Sequence, residues 1–247
     1  MTLASSVTGY AHSLLRALPG VCVVCRDWDA DGLCEACLQR FAARQPRCAG
    51  CARVTAVDLA RCGQCLALAS AFERCITGAD YVAPWDRLIT AFKFHQRVEL
   101  AATLASVIER AVRAAWCADR VPRRPALLLP VPLSRERLRE RGYNQAWELT
   151  RRLSRRLRIA AAPAALQRGR DTAHQIGMTR REREQNLRDA FWVAPRDRPG
   201  LQQQHVALID DVLTTGATAH AAALALARAG AASVEVWVVA RTPLGDP

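Results

Sequence analysis

The sequence predicts an α/β protein in which a mostly parallel sheet is flanked by helices and preceded by a small cysteine-rich module. Eight of the ten cysteines lie in four CxxC pairs within the first 70 residues. After them, apolar runs typical of buried strands alternate with segments of helical periodicity, which is the order of elements that builds a parallel sheet. At 247 residues the chain has room for one large domain and a small module.

Residues 1–70 are predicted to contain a helix and a double zinc ribbon, and residues 71–247 to form the α/β domain. The helix is expected around Leu14, Leu15 and Leu18. Two CxxC knuckles on a short ribbon supply the four thiolates of a tetrahedral zinc site, so four knuckles predict two structural zinc ions. The predicted ligands are Cys22, Cys25, Cys34, Cys37, Cys48, Cys51, Cys62 and Cys65.

Other interpretations of the cysteines are a disulfide framework and redox-active CxxC chemistry. The N-terminus does not have the pattern of a signal peptide, so the chain is expected in the reducing cytoplasm, where disulfides are rare. Four regularly spaced pairs are also unusual for a redox protein. The spacing leaves open whether consecutive pairs share a metal or interleave. Cys75 and Cys117 stand outside the pairs and are expected to be buried apolar residues.

The middle of the chain alternates strand and helix patterns. A strand is predicted over 75–82, a helix from Pro84, a second helix over 100–116 and a buried strand within 126–132. The first helix carries the one lysine of the chain, Lys93. This lysine is expected either to contact a base or a phosphate or to extend to solvent from the helix surface.

The most informative segment is HVALIDDVLTTGAT, at 205–218. Its apolar run predicts a buried strand that ends in Asp210 and Asp211, before a Thr-Thr-Gly loop and an alanine-rich helix. Such a loop binds phosphate, because Gly216 permits close backbone approach and the helix N-terminus is the positive end of its dipole. The adjacent carboxylates suit the vicinal hydroxyls of a sugar. The segment therefore predicts a site for a phosphorylated ribose, and the alternative is an ordinary turn capped by aspartates.

This segment resembles the motif with which type I phosphoribosyltransferases bind phosphoribosyl pyrophosphate (PRPP). The resemblance implies a type I phosphoribosyltransferase-like fold and a catalytic role for Asp210 and Asp211. It also implies a PRPP-binding loop whose residues are Leu213, Thr214, Thr215, Gly216, Ala217 and Thr218.

Nearly the whole chain, from about Leu18 to Arg241, resembles the ComF family of competence-related proteins. The motifs that carry this resemblance are the CxxC pairs, FKF at 92–94, PVP at 130–132, RGYNQA at 141–146 and DDVLTTGAT at 210–218. The family resemblance implies a role in natural competence or the use of external DNA on the cytoplasmic side. It also implies competence and DNA-processing proteins as partners.

A pyrophosphate site is predicted in the segment PVPLSRERLRERG, which follows a strand as the pyrophosphate loop of phosphoribosyltransferases does. Guanidinium groups bind phosphate oxygens in a planar fork, and a solvated helix face is the alternative. Residues 168–186 resemble the flexible loop that closes over PRPP. The candidate pyrophosphate-binding residues are Arg135, Arg141, Tyr143, Asn144 and Gln175, with Arg137 as a further guanidinium.

The net charge of +12 is concentrated in residues 101–200, which hold 22 basic and 10 acidic residues. This excess could attract single-stranded DNA or a multiply phosphorylated small molecule. Alternatively, the ratio of 34 arginines to one lysine reflects a GC-rich genome. The longest stretch without a charged residue, 212–227, contains the loop threonines, so no membrane insertion is predicted.

Two functional hypotheses follow. In the first, the protein binds PRPP with Mg²⁺ and transfers its phosphoribosyl group to an acceptor that the sequence does not identify. In the second, it is a non-catalytic PRPP sensor or a single-stranded-DNA-binding adaptor. Measuring pyrophosphate release separates the two.

Overall fold

The computed structural model describes residues 20–29, 32–118, 124–169 and 190–243. The predicted N-terminal helix, Gln175 and most of the segment 168–186 lie outside these residues. The chain divides into two compact units, Met1–Ala43 and Arg44–Pro247, and each is described by itself. Among the described residues, no helix is both long and apolar enough to cross a bilayer.

The first unit is organised around cysteines. An antiparallel bridge between Val21 and Trp28 closes a turn that carries the first CxxC pair. Helix α1, Glu35–Phe41, begins directly after Cys34 and contains the buried Cys37. The turn and the start of the helix therefore bring the first two CxxC pairs together.

The second unit opens with the remaining cysteine pairs. Arg47 bridges Val54 in antiparallel fashion, and Cys48 bridges Leu59 in parallel. Helix α2, Gly63–Ala67, begins directly after Cys62 and contains Cys65, the last cysteine of the four pairs. These short bridges form the ribbon that the CxxC spacing predicts.

The main sheet of the second unit has the strand order β1-β7-β6-β2-β3 among the described residues, and every neighbouring pair is parallel. Two further strands, β4 and β5, pair with each other in antiparallel fashion. Parallel strands have their carboxyl ends at one edge, where open α/β sheets bind ligands. In chain order the strands are β1 (Arg74–Asp80), β2 (Leu127–Pro130), β3 (Ala160–Ala161), β4 (Leu166–Arg168), β5 (Phe191–Val193), β6 (His205–Leu213) and β7 (Ser233–Arg241).

Helices cover both faces of the sheet. The further α-helices of the described chain are α3 (Trp85–Phe94), α4 (Leu100–Ala118), α5 (Arg135–Arg141), α6 (Gln145–Leu157) and α7 (Ala217–Arg228), and short 3-10 turns occupy Pro195–Asp197 and Pro199–Leu201. All of β7 is buried, as expected of a central strand. Trp237 of β7 packs edge-on against Trp116 of α4, with 6.0 Å between ring centroids. Its neighbours Val236 and Val238 alternate to the other face and share a core with Leu226 of α7.

These observations confirm the predicted fold class, a mostly parallel sheet flanked by helices with a cysteine cluster near the N-terminus. One local expectation was wrong. Cys117 is exposed, whereas Cys75 is buried as expected. The reason is helical geometry: Trp116 occupies the buried face of α4, and the next residue is turned about 100° away from it.

The segment after β2 also differs from a simple pyrophosphate loop. It contains α5, whose N-terminus is capped by the Ser134 hydroxyl accepting a hydrogen bond from the Arg137 amide at 3.3 Å. The helix ends at Gly142, which has a φ of 77°. This left-handed conformation favours glycine. Gly142 therefore ends α5 and lets the chain turn into α6, which begins at Gln145.

Candidate functional site

The described residues contain two groups of four cysteines, and consecutive CxxC pairs form each group. The four Sγ atoms of each group lie within 4.8 Å of one another. The distance is 3.6 Å between Cys25 and Cys34 and 3.7 Å between Cys51 and Cys62. Four thiolates at about 2.3 Å from a tetrahedral zinc ion lie about 3.8 Å apart, so both groups fit the metal. The grouping settles the question of pairing in favour of consecutive pairs.

The thiols of each group differ in how readily they ionise. Burial opposes ionisation of Cys22, but hydrogen bonds from the amides of Cys25 and Cys34 outweigh it and lower its pKa to about 6. Burial also opposes ionisation of Cys62, but a hydrogen bond from the Cys65 amide and hydrogen bonds from the neighbouring thiols lower its pKa to about 7. Burial and the neighbouring thiols raise the pKa of Cys37 well above its ordinary value. A divalent metal must therefore displace protons when it binds, which couples its affinity to pH.

The predicted acids lie at the carboxyl edge of the sheet, near the end of β6. Asp211 is 5% exposed, and its amide donates a hydrogen bond to Asp210 Oδ1 at 2.9 Å. Loss of hydration and the negative charge of Asp211 raise the pKa of Asp210 to about 7. The pair thus combines a carboxylate with a carboxyl group that changes its protonation near neutral pH.

Lys93 provides the positive charge beside these acids. Its Nζ lies 2.8 Å from Asp211 Oδ1, and the two side chains are 19% and 7% exposed. Of the two roles expected for this lysine, extension to solvent is excluded, because its amine contacts a site acid. Phe92, one residue earlier on α3, accepts a hydrogen bond at its carbonyl from the Tyr143 hydroxyl. Tyr143 therefore anchors α3 beside the acids.

The loop after β6 leads through a left-handed glycine into α7. Gly216 has a φ of 85° and precedes α7 as its N-cap. A side chain there would find open space, with Leu213 Cδ1 at 3.9 Å as its neighbour, so glycine is required by the backbone conformation. The amide of Ala217 donates to Thr215 Oγ1 at 3.3 Å. Thr214 and Thr215 are exposed at the start of the helix, where its dipole is positive.

A cavity of about 280 Å³ joins the acids to this loop. Of the predicted residues, the cavity is lined by Asp210, Asp211, Thr214, Thr218, Arg141 and Asn144. Leu213 ends β6, Thr215 and Gly216 lie in the loop that follows, and Ala217 begins α7. Arg135 and Tyr143 are not among the lining residues. Further lining residues with polar groups are Tyr81, Lys93, Arg137, Gln145 and Arg168. Positive groups from three separate elements thus surround a pair of acids.

Asn144 is placed by helix capping. Its Oδ1 accepts hydrogen bonds from the amides of Ala146 and Trp147, at 2.9 and 3.3 Å, and its Nδ2 donates to the Val131 carbonyl at 3.1 Å. The adjacent Gln145 is 2% exposed, and its Oε1 receives no hydrogen bond from the described residues. A buried acceptor without a donor is costly, so Gln145 is a cavity residue with an unused acceptor.

The sequence did not single out Gln145 or Tyr81 as site residues, and it included Arg168 only as the first residue of the segment 168–186. Gln145 lies within the motif RGYNQA, where it was expected at the start of the following helix. Arg168 comes from β4, and its guanidinium lies 5.4 Å from the Phe191 ring centroid. Arg168 belongs to the antiparallel pair β4–β5, and no local sequence pattern predicts that this pair lies next to Asp210 and Asp211. Arg137 and Arg141 share one side of α5 by their i,i+4 spacing, which the sequence does show.

The arginines of α6 are largely engaged within the molecule. Arg151 and Arg152 each place a guanidinium nitrogen 2.6 Å from Glu148 Oε2. Arg156 reaches Glu109 Oε2 on α4 at 3.0 Å. These ion pairs neutralise part of the basic segment, so its positive field is weaker than a count of arginines indicates.

Two kinds of known protein resemble this chain in sequence. It is 34% identical over 234 residues to DNA utilization protein YhgH from Escherichia coli (strain K12) and from Shigella flexneri, covering 92% of this chain and 100% of each relative. It is also 34% identical over 211 residues to Competence protein F from Haemophilus influenzae, covering 85% of this chain and 91% of that protein. No family model matches the chain.

Among solved structures, the chain is similar to glutamine PRPP amidotransferase from B. subtilis, with 18% identity and a TM-score of 0.35. A second similarity, to the allosteric regulatory enzyme of purine biosynthesis, has 18% identity and a TM-score of 0.34. The matches cover 57% and 55% of this chain and about a quarter of those longer chains, 25% and 24%. On the extent of its similarity to YhgH and to Competence protein F, the chain belongs to the ComF family of competence and DNA-utilization proteins.

Proposed function

We propose that this protein binds PRPP in the cavity at the carboxyl edge of the sheet. The observation that carries the proposal is the combination of a buried acid pair, a phosphate-type loop at a helix N-terminus and several cations around one cavity. PRPP has the complementary groups, since it joins a 5′-phosphate and a pyrophosphate through a ribose with free hydroxyls. No simpler phosphate ester uses all three features.

Each part of PRPP has a chemically suitable partner. The amides and hydroxyls of residues 213–218 bind the 5′-phosphate, because the loop precedes the positive end of α7. Asp210 and Asp211 accept hydrogen bonds from the ribose hydroxyls. Arg137 and Arg141, which also line the cavity, bind the pyrophosphate oxygens. The Lys93 ammonium holds one oxygen of Asp211, while the second oxygen remains for the sugar.

Transfer would proceed by departure of pyrophosphate from C1′ and attack by an acceptor. Positive charge develops on the sugar ring as the bond breaks, and the carboxylates of Asp210 and Asp211 stabilise it. Contacts to the remote 5′-phosphate contribute binding energy that positions the reacting carbon. Mg²⁺, if bound together with PRPP, would supply charge neutralisation for the leaving pyrophosphate. The oxygen-rich donor set of two acids and the Gln145 amide suits such a hard cation.

The names of the relatives support a role in the use of DNA. We infer that this chain acts on the cytoplasmic side of DNA uptake, with single-stranded DNA and DNA-processing proteins as partners. The exposed Phe94 ring, with Arg141 stacked at 4.9 Å, lies beside the ligand cavity and suits an unstacked base. This feature is compatible with DNA as a phosphoribosyl acceptor and with an adaptor that binds PRPP without transferring it.

Calorimetry with Mg·PRPP tests binding. We expect ribose 5-phosphate to compete with PRPP and ribose to fail, because ribose lacks the phosphate that the loop binds. Gly216→Val should abolish binding, since a β-branched residue is strained at a φ of 85°. Asp86→Ala is the matched control, because Asp86 is an acid of α3 that is not among the cavity-lining residues. Equal affinity in the wild type and in Gly216→Val would refute the assignment of the loop.

Pyrophosphate release distinguishes transfer from sensing. The wild-type protein is incubated with Mg·PRPP and, in turn, with free nucleobases and with single-stranded DNA. Release that depends on one acceptor and disappears in Asp210→Asn identifies a transferase and its acceptor class. Tight binding of PRPP without release under every condition identifies a sensor or an adaptor.

A further inference from the structure

One buried arginine connects the phosphate loop to the second cysteine cluster. Arg241, at the end of β7, is 6% exposed. Its Nη1 donates hydrogen bonds to the carbonyls of Leu213 and Thr242, each at 2.9 Å, and to the carbonyl of Thr214. Its Nε donates to the carbonyl of Cys51 at 3.0 Å. A single guanidinium therefore holds two peptides of the loop and one peptide of a metal-binding knuckle.

The cysteine ribbon is attached to the same edge of the sheet at other points. Arg47 of the ribbon pairs with Asp80 at the end of β1 through two contacts, of 2.8 and 3.1 Å. The amide of the next residue, Tyr81, donates to the Arg241 carbonyl at 2.8 Å. Tyr81 also lines the ligand cavity. The ribbon thus supports the cavity wall as well as the loop.

The contacts of Arg241 determine which way the loop amides point. In a trans peptide the C=O and N–H groups point in opposite directions. When Arg241 holds the carbonyls of Leu213 and Thr214, the amides of Thr214 and Thr215 are directed away from the guanidinium. The amides of Thr214 and Thr215 are among the backbone amides of residues 213–218 that would donate hydrogen bonds to the 5′-phosphate. The positive charge behind the loop also favours an anion in front of it.

We propose that Arg241 is a positioning residue through which the second cysteine cluster, when it holds its metal, orders the phosphate loop. The proposal rests on the proposed PRPP site. A buried guanidinium is stable only while its N–H groups have acceptors. Loss of the metal frees the knuckle that carries Cys51 and removes the acceptor of Arg241 Nε. The loop carbonyls then lose a rigid donor, and the loop amides lose their common orientation.

The test compares Arg241→Gln with Arg61→Gln in the full-length protein. Arg61 also ties the ribbon to the sheet, since its Nη2 donates to the Glu73 carbonyl at 2.8 Å, at the far end of β1 from the loop. We expect Arg241→Gln to bind PRPP roughly tenfold more weakly with unchanged metal content, as a lost charged hydrogen bond implies. Arg241→Lys keeps the positive charge, so its PRPP affinity should lie between that of Arg241→Gln and that of the wild type. Arg61→Gln should bind like the wild type.

A second readout does not depend on PRPP. Amide hydrogen exchange of the peptide that contains residues 213–218 should accelerate in Arg241→Gln and in Cys51→Ala. Cys117→Ser, a substitution of an exposed cysteine outside both clusters, should leave the exchange unchanged. Equal exchange in Cys51→Ala and Cys117→Ser would overturn the coupling. If the wild type fails to bind PRPP, the proposed function fails, while hydrogen exchange still decides whether the cluster orders the loop.

Discussion

The ion pair between Lys93 and Asp211 allows folding and ligand binding to be separated in one double-mutant experiment. The two charged atoms are 2.8 Å apart, and both side chains are largely buried. At an effective dielectric constant of about 20, this distance corresponds to about 6 kcal/mol of attraction, and desolvation of the two groups offsets much of it. Removing one partner of a buried ion pair costs about 3–5 kcal/mol. We expect the lower value, about 3 kcal/mol of unfolding free energy, for Asp211→Ala, because water can partly hydrate the Lys93 amine that is left without its partner.

This loss is measurable as a shift in the midpoint of thermal unfolding. In a domain of this size, 1 kcal/mol lowers Tm by about 2–4 °C, so Asp211→Ala should lower Tm by roughly 6–12 °C. Lys93→Met should also destabilise, because it leaves Asp211 buried beside Asp210 without its ion-pair partner. The double variant removes both charges and should recover about 2 kcal/mol relative to the sum of the single losses.

Urea denaturation and calorimetry with Mg·PRPP provide the two readouts. Both variants that lack the Asp211 carboxylate should lose PRPP affinity, although the double variant is more stable than the sum of the two single losses predicts. The exposed pair Arg44–Asp58, at 2.6 Å, is the control cycle, and its coupling should be below about 1 kcal/mol. Additive losses at Lys93 and Asp211, within about 0.5 kcal/mol, would refute the importance of the pair. Wild-type affinity in the double variant would refute the role of Asp211 in binding.

Three further predictions concern the metal, the pH and the DNA. Metal analysis of protein purified under reducing conditions should give about two zinc ions per chain, and a ratio near one or zero would contradict the assignment of one or both clusters. Because the pKa of Asp210 is raised to about 7, its protonated form stabilises the fold below about pH 4, and this contribution is lost as the pH rises through 7. PRPP affinity should therefore increase from pH 6 to pH 8 as the acceptor ionises, and an equal increase in Asp210→Asn would show that the ligand alone titrates. Single-stranded DNA should bind with a strong inverse dependence on salt. That dependence should be reduced, though only modestly because of the ion pairs of α6, when four arginines are replaced by glutamine: Arg151, Arg152, Arg155 and Arg156. An unchanged dependence would leave genome composition as the explanation of the charge.

Local chemistry in the sequence was sufficient to predict the parts of the site that are continuous in the chain. The CxxC pairs predicted metal-binding groups, because two thiols three residues apart can reach one ion with little backbone adjustment. The acids and the Gly216 turn were predictable in the same way, since strand, loop and helix are adjacent along the chain and Gly216 has the positive φ that such a turn needs. The alternation of strands and helices likewise predicted the parallel sheet.

The tertiary structure decided every relation between residues that are distant in the chain. Lys93 lies 118 positions before Asp211 and Arg241 lies 190 positions after Cys51, yet both pairs make direct contacts. Consecutive rather than interleaved cysteine pairing was also a tertiary result. The physical reason is that periodicity and spacing determine which face of an element is buried, whereas strand order and helix packing determine which buried faces meet. Burial then sets the pKa of Asp210 and the contribution of each ion pair to stability, because both depend on how much water the surrounding elements exclude.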